Sequence, residues 1–245
     1  MSLLNKFRAA PARESAAPPV VARGGVPGKP LHAPGVSSGA GNPSGPGRFS
    51  NGLKEFLWQL HDVKHGKLLD MGAVSQTTLN FFIDRGFRVY TEDFLGTWGA
   101  FLQAEEENLK SLPAGVEAPD RSWAARAERF LGSNMSHPAD TFDAVLLWDV
   151  LDYVDHAATA CIAAHLGTLV REGGAILGVF HARMPTEFHR YRVLDASNLE
   201  FVPAPTLMPP RHVFQNREIQ DLFEGFRSSK TFVGRDQVRE GVFIK

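Results

Sequence analysis

From Lys67 onward, short apolar runs alternate with helix-patterned stretches, and that alternation restricts the chain to few architectures. "KLLDM" (67–71), "FRVYTED" (87–93), "FDAVLLWDV" (142–150) and "AILGVFHA" (175–182) read as buried strands. Between them lie helical patterns. "TTLNFFIDRG" puts Leu79, Phe82 and Ile83 on one face and ends at Gly86. "TWGAFLQAEEENLKSL" (97–112) is stopped by "PAG", and "RSWAARAERFL" (121–131) and "DHAATACIAAHLGTLVREGG" follow, the last ended by Gly173 and Gly174. Upstream, "SNGLKEFLWQLH" places Leu53, Phe56, Leu57 and Leu60 at helical spacing, with Ser50 or Asn51 as N-cap. Apolar strands separated by helices imply a doubly wound α/β fold, a mostly parallel sheet covered by helices on both faces. Past residue 183 the alternation lapses. "YRVLDASNLEFVPA" reads as strand–turn–strand, "NREIQDLFEGF" (216–226) as a helix, and the chain ends in a strand, which predicts an antiparallel C-terminal edge.

Residues 1–48 are of another kind. Rich in Pro, Gly, Ala and Ser, they cannot bury enough apolar surface to offset their ordering entropy, so they are expected to form a disordered arm before a folded domain over 49–245. With 43% hydrophobic residues the chain has material for a core. A net charge of −1 gives no electrostatic reason to expect nucleic acid. No apolar run approaches the ~20 residues of a membrane span, and the first residues lack the apolar stretch of a secretory signal. The single cysteine, Cys161, excludes an internal disulfide and fits a reducing compartment, so the cytoplasm is the expected location. On its helix Cys161 reads as a core residue.

Open α/β sheets bind ligands at the carboxyl ends of their strands, near the point where strand order reverses. The first strand ends at Asp70, Met71 and Gly72, followed by Ala73, Val74, Ser75 and Gln76. Gly72 permits a tight turn and a close approach, and Ser75, Gln76 and Thr77 offer amides and hydroxyls at a helix N-terminus. A plain strand–helix turn capped by Thr77 accounts for the same residues. The second strand ends in Glu92 and Asp93, the latter 23 positions after Asp70, about where this architecture grips the two ribose hydroxyls of an adenosine group.

Taken together, "LLDMG", the acid pair of "VYTED", "FDAVLLWDVLDYV", "LVREGGAILGVF" and the terminal "NREIQDLFEGF" resemble a class I S-adenosylmethionine-dependent methyltransferase over residues 49–245. The resemblance implies a Rossmann-like fold, S-adenosylmethionine as cofactor and methyl transfer to an unidentified acceptor. It implies that Asp70, Gly72 and Ala73 form the turn under the methionine part. Asp93, with Glu92 as rival, would hold the ribose. Asn134 or Met135, at a third strand's end, would contact the adenine, and Asp149 to Leu151, Val150 included, would border the methionine end. The turn departs from the family's pattern, with Val74 and Gln76 where glycines are usual. Gln76 offers a side-chain amide in place of a backbone contact.

Methyl transfer from a sulfonium is a direct displacement, so no fixed catalytic residue is required. Polar groups expected over the pocket are Asp149, Asp152, Tyr153, His181 and Arg183, and His181 suits a base near neutral pH. Trp98 and Phe101 read as core or as a substrate wall, and "RMPTEFHRYR" (183–192) as a solvated loop or an entrance for an anion. Two other readings remain open: a methyltransferase fold without cofactor that serves as a binding or scaffold protein, and a nicotinamide-dependent oxidoreductase. A dinucleotide needs the glycine-rich pyrophosphate turn that Val74 and Gln76 spoil, which weakens the latter.

Overall fold

Why one sheet can be apolar on both sides is visible along its central strands. In β4 (Phe142–Trp148) every residue is buried, and its side chains alternate between two separate cores. Val145 and Leu147 join the first, and Ala144, Leu146 and Trp148 the second. In β5 (Val170–His181) Ile176 and Phe180 likewise face the first, with Ala175, Leu177 and Val179 on the second. The structure is a computed structural model that describes residues 47–234 and 237–245. The expected arm lies outside these residues except for Gly47 and Arg48.

The main sheet has six strands in the order β3-β2-β4-β5-β9-β8. Here β2 is Lys67–Asp70, β3 is Arg88–Thr91, β8 is Ser228–Val233 and β9 is Val238–Ile244. The pairs β2·β3, β2·β4 and β4·β5 are parallel, and β5·β9 and β8·β9 are antiparallel. The doubly wound sheet and its antiparallel C-terminal edge are therefore as the sequence indicated. Helices α3 (Phe94–Lys110), α4 (Trp123–Asn134), α5 (His156–Leu169) and α6 (Asn216–Leu222) contribute to the first core. Helices α1 (Asn51–Gln59) and α2 (Gln76–Ile83) contribute to the second.

Three expectations need correction. No strand ends at residues 134–135: Asn134 is the last residue of α4, and Met135 is its buried C-cap. The main sheet ends instead at β3. Helix α3 begins at Phe94 rather than near 97, because the Asp93 side chain accepts from Gly96 N and caps it. The strand–turn–strand segment, β6 (Phe188–Val193) and β7 (Asn198–Ala204), does not extend the main sheet. It pairs with β1 (Arg48–Phe49) in a separate three-stranded antiparallel sheet whose apolar residues Tyr191, Val193 and Leu199 complete the second core. Val193 N donates to Thr78 Oγ1 at 3.0 Å, which fastens β6 to α2.

Candidate functional site

The chain runs from β2 to β3 on one side and then crosses to β4 on the other, so strand order reverses between β2 and β4. That is where the fold places a ligand crevice. A cavity opens there, lined by Met71, Gly72, Ala73, Asp93, Asp149 and Val150 among others, with His189, Arg190 and Tyr191 from β6. Five of the residues the resemblance selected thus converge from three strand ends. Asp70 lies buried beneath them. Glu92, Gln76, Asn134 and Met135 are not part of the lining. Glu92 sits 3.8 Å from His137, and Gln76 bonds Asn80 on its own helix.

The cavity measures about 30 Å³, room for about one water. Trp148 is one of its lining residues and is itself buried. Its indole Nε1 donates to Asp70 Oδ1 at 2.7 Å, and Gly72 N donates to the same oxygen at 3.0 Å. A Cβ on Gly72 would come within 2.7 Å of the Trp148 ring. The close approach expected there was that of a ligand; the group that makes it in the structure is the chain's own tryptophan. Gly72 has no left-handed φ, nor does Val74, which stands 66% exposed. Neither position carries a strained backbone, and β-branched Val74 fits the turn as it stands. The helix that follows is capped by Ser75, whose hydroxyl accepts from Thr78 N, rather than by Thr77.

Trp148 itself takes φ of 53°, a left-handed conformation rare for a bulky residue, where the β4·β5 register shifts. Its ring stacks on Tyr191 at 5.4 Å and 9°. Sequence reasoning treated Trp148 only as part of a strand exit. The available signal was an aromatic residue at the end of a buried strand facing a turn with a single glycine.

Beside the cavity, buried acids form a linked network. Tyr191 OH donates to Asp149 Oδ2 at 2.7 Å. His181 N donates to Asp152 Oδ2 at 2.8 Å, and His181 Nδ1 lies 2.8 Å from the same oxygen and 4.0 Å from Asp149 Oδ2. Burial raises the Asp149 carboxyl to about 7, against the Tyr191 hydrogen bond and the His181 charge, which lower it. Burial also raises Asp152 and Asp70. Asp152 Oδ1 is buried with no hydrogen-bond partner among the described residues. For His181 burial pulls the pKa down, but the Asp152 hydrogen bond and the charges of Asp152 and Asp149 raise it overall. His181 and Arg183 also line a neighbouring groove with His189. Tyr153 is buried against Phe188.

Two alternatives left open by the sequence close here. Trp98 is buried and stacked on Phe101 at 5.7 Å, both against Phe130, so the pair is core and not a substrate wall. Of residues 183–192, 183–187 form a largely exposed loop, and 188–192 belong to β6, of which 188–191 line the crevice. Cys161 is half-buried, and burial raises its thiol pKa, which disfavours the nucleophilic thiolate.

No protein-family model and no curated protein matches the sequence. Among solved structures the chain is similar to the 1,6-didemethyltoxoflavin-N1-methyltransferase of Burkholderia thailandensis, determined with 1,6-didemethyltoxoflavin and S-adenosylhomocysteine bound. The identity is 16% and the TM-score 0.42, over 80% of this chain and 78% of that one. An S-adenosylmethionine-dependent methyltransferase from Mesorhizobium loti gives 10% and 0.45, over 78% and 96%. One from Archaeoglobus fulgidus gives 10% and 0.43, over 79% and 91%. The order of the chain's elements and the antiparallel hairpin that closes its sheet give it a doubly wound, Rossmann-like α/β fold.

Proposed function

We propose that the domain of residues 49–245 transfers a methyl group from S-adenosylmethionine to an acceptor at the crevice between β2 and β4. The observation that carries this reading is the convergence of Gly72, Ala73, Asp93, Asp149 and Val150, distant in sequence, on one cavity at the reversal of strand order. The donor set fits the cofactor: a carboxylate at the end of β3 for ribose hydroxyls, and a turn at a helix N-terminus for the methionine carboxylate. The room does not fit in the conformation described. Entry requires the Trp148 indole to leave Gly72 and β6 to lift from the turn. Asp93 Oδ1 accepts its capping bond from Gly96 N at 3.3 Å, which leaves the other carboxylate oxygen for the ribose.

The cofactor's share of the chemistry is an electrophilic methyl group. The chain's share is to position the acceptor, exclude water and hold a proton. His181, kept in place by Asp152 in the groove beside the crevice, is the group we assign to take that proton. The cytoplasmic location is part of the same proposal and rests on the lone Cys161; no helix among the described residues is long and apolar enough to cross a membrane.

A second reading has its own support. The small cavity and the Trp148 ring against Gly72 favour a methyltransferase fold that binds no cofactor and serves as a binding or scaffold protein. Isothermal titration of the full chain with S-adenosylhomocysteine, beside an Asp93→Ala variant, separates the two. Micromolar binding lost in the variant supports transfer. Absence of binding up to millimolar ligand leaves the scaffold reading.

A further inference from the structure

We propose that His156, His212 and Glu218 form a zinc site that clasps the segment before α6 to the start of α5, independent of any methyl transfer. One nitrogen from each histidine and one carboxylate oxygen lie within 4.8 Å of one another. His212 Nε2 and Glu218 Oε1 are already 3.1 Å apart. Around a tetrahedral ion with bonds of about 2.1 Å, ligand atoms sit about 3.4 Å apart. The His212–Glu218 pair meets that spacing, and His156, exposed in the first turn of α5, closes the remainder by side-chain rotation.

The surroundings are built as metal sites are built. Glu218 Oε2 accepts from Gln215 N at 2.6 Å, which orients the carboxylate and leaves Oε1 for an ion. Phe214, fully buried, walls the site: His156 stacks on it at 6.2 Å, and His212 meets it edge-on at 4.5 Å. The amides of Arg211 and His212 donate to Asp152 O at 2.7 and 3.2 Å. An ion here therefore anchors the same segment that holds the Asp152 turn. Two imidazoles and one carboxylate, with a position left for water, suit zinc among the divalent cations. The positive end of α5 opposes a cation, but the Asp155 side chain caps that end, and three direct ligands outweigh a partial charge. Without metal His212 Nε2 and Glu218 Oε1 meet directly at 3.1 Å, and zinc would take a place between them.

The test uses the full, untagged chain and Zn²⁺ in competition with a chromophoric chelator. The expected result is one Zn²⁺ per chain at micromolar or tighter affinity. It should weaken at least tenfold in His156→Ala and in Glu218→Gln, and stay unchanged in His61→Ala, which removes another histidine lying beside an acid. Zn²⁺ at a hundred times the dissociation constant should raise the thermal midpoint by about 5 °C or more, and the His156→Ala variant should lose that shift while keeping the metal-free midpoint. Co²⁺ should give the intense visible bands of a tetrahedral ion. Weaker than millimolar binding, or binding that His156→Ala and Glu218→Gln leave intact, overturns the proposal.

Discussion

Trp148 is the residue on which the crevice depends. A bulky side chain at positive φ costs about 1–3 kcal/mol and persists only where its surroundings hold it. Here Asp70 accepts its indole proton and Tyr191 stacks on its ring. Trp148→Phe leaves the buried Asp70 Oδ1 with Gly72 N alone, and urea unfolding should report a loss of about 1–3 kcal/mol. Gly72→Ala drives a methyl into the same indole and should cost about 1–3 kcal/mol. In a Trp148→Ala background most of that cost should vanish, because the obstructing atoms are gone. The sequence marked Gly72 as a place of close approach for a ligand, whereas the group that comes close in the structure is the Trp148 ring. It did not mark the approaching group, since the Trp148 position across the sheet follows from the β2·β4 register, which spacing along the chain does not encode.

Among the elements, those with continuous apolar runs were legible: β2, β4 and the 175–181 part of β5 have one assignment that buries them, while 170–174, read as the end of a helix, open β5 instead. The small sheet was legible as strands but not as a cover. A half-apolar strand–turn–strand fits any free edge, and β1 at two residues has no pattern to read. The expected strand ending near 134 is absent because the helix read over 121–131 runs on to Asn134, where it packs on α3 and pairs Arg126 and Arg129 with Glu105 and Glu106. Helix α1 is tied to the sheet through Glu240 on β9. Its buried carboxylate accepts from Gly52 N at 2.7 Å and pairs with Arg48 of β1. Glu240→Ala removes the anion at a helix N-terminus and breaks a buried pair, and should destabilise the fold by ~3 kcal/mol in thermal unfolding.

For the molecule as a whole, the buried acids set the pH response. Unfolded, Asp149 ionises near its ordinary 3.8; folded, it keeps its proton to about 7. The folded state then binds more protons across that interval, so stability falls as pH rises. The raised His181 acts in the same direction, its contribution present below the unfolded value of 6.5 and lost as pH rises through the higher folded value. The thermal midpoint should be higher at pH 5 than at pH 8, and Asp149→Asn should flatten the slope between them. A rise toward pH 8 would contradict the protonated network. The central claim is that the crevice at the reversal of strand order is a cofactor site closed by the chain's own tryptophan. The direct measurement is the dissociation constant of S-adenosylhomocysteine for the native chain and for Trp148→Ala, with circular dichroism to show that the variant is folded. If self-closure opposes binding, the variant binds at least tenfold tighter, because the open state no longer has to be populated against the Trp148 contacts. Equal or weaker binding by a folded variant, or none by either protein, would contradict it.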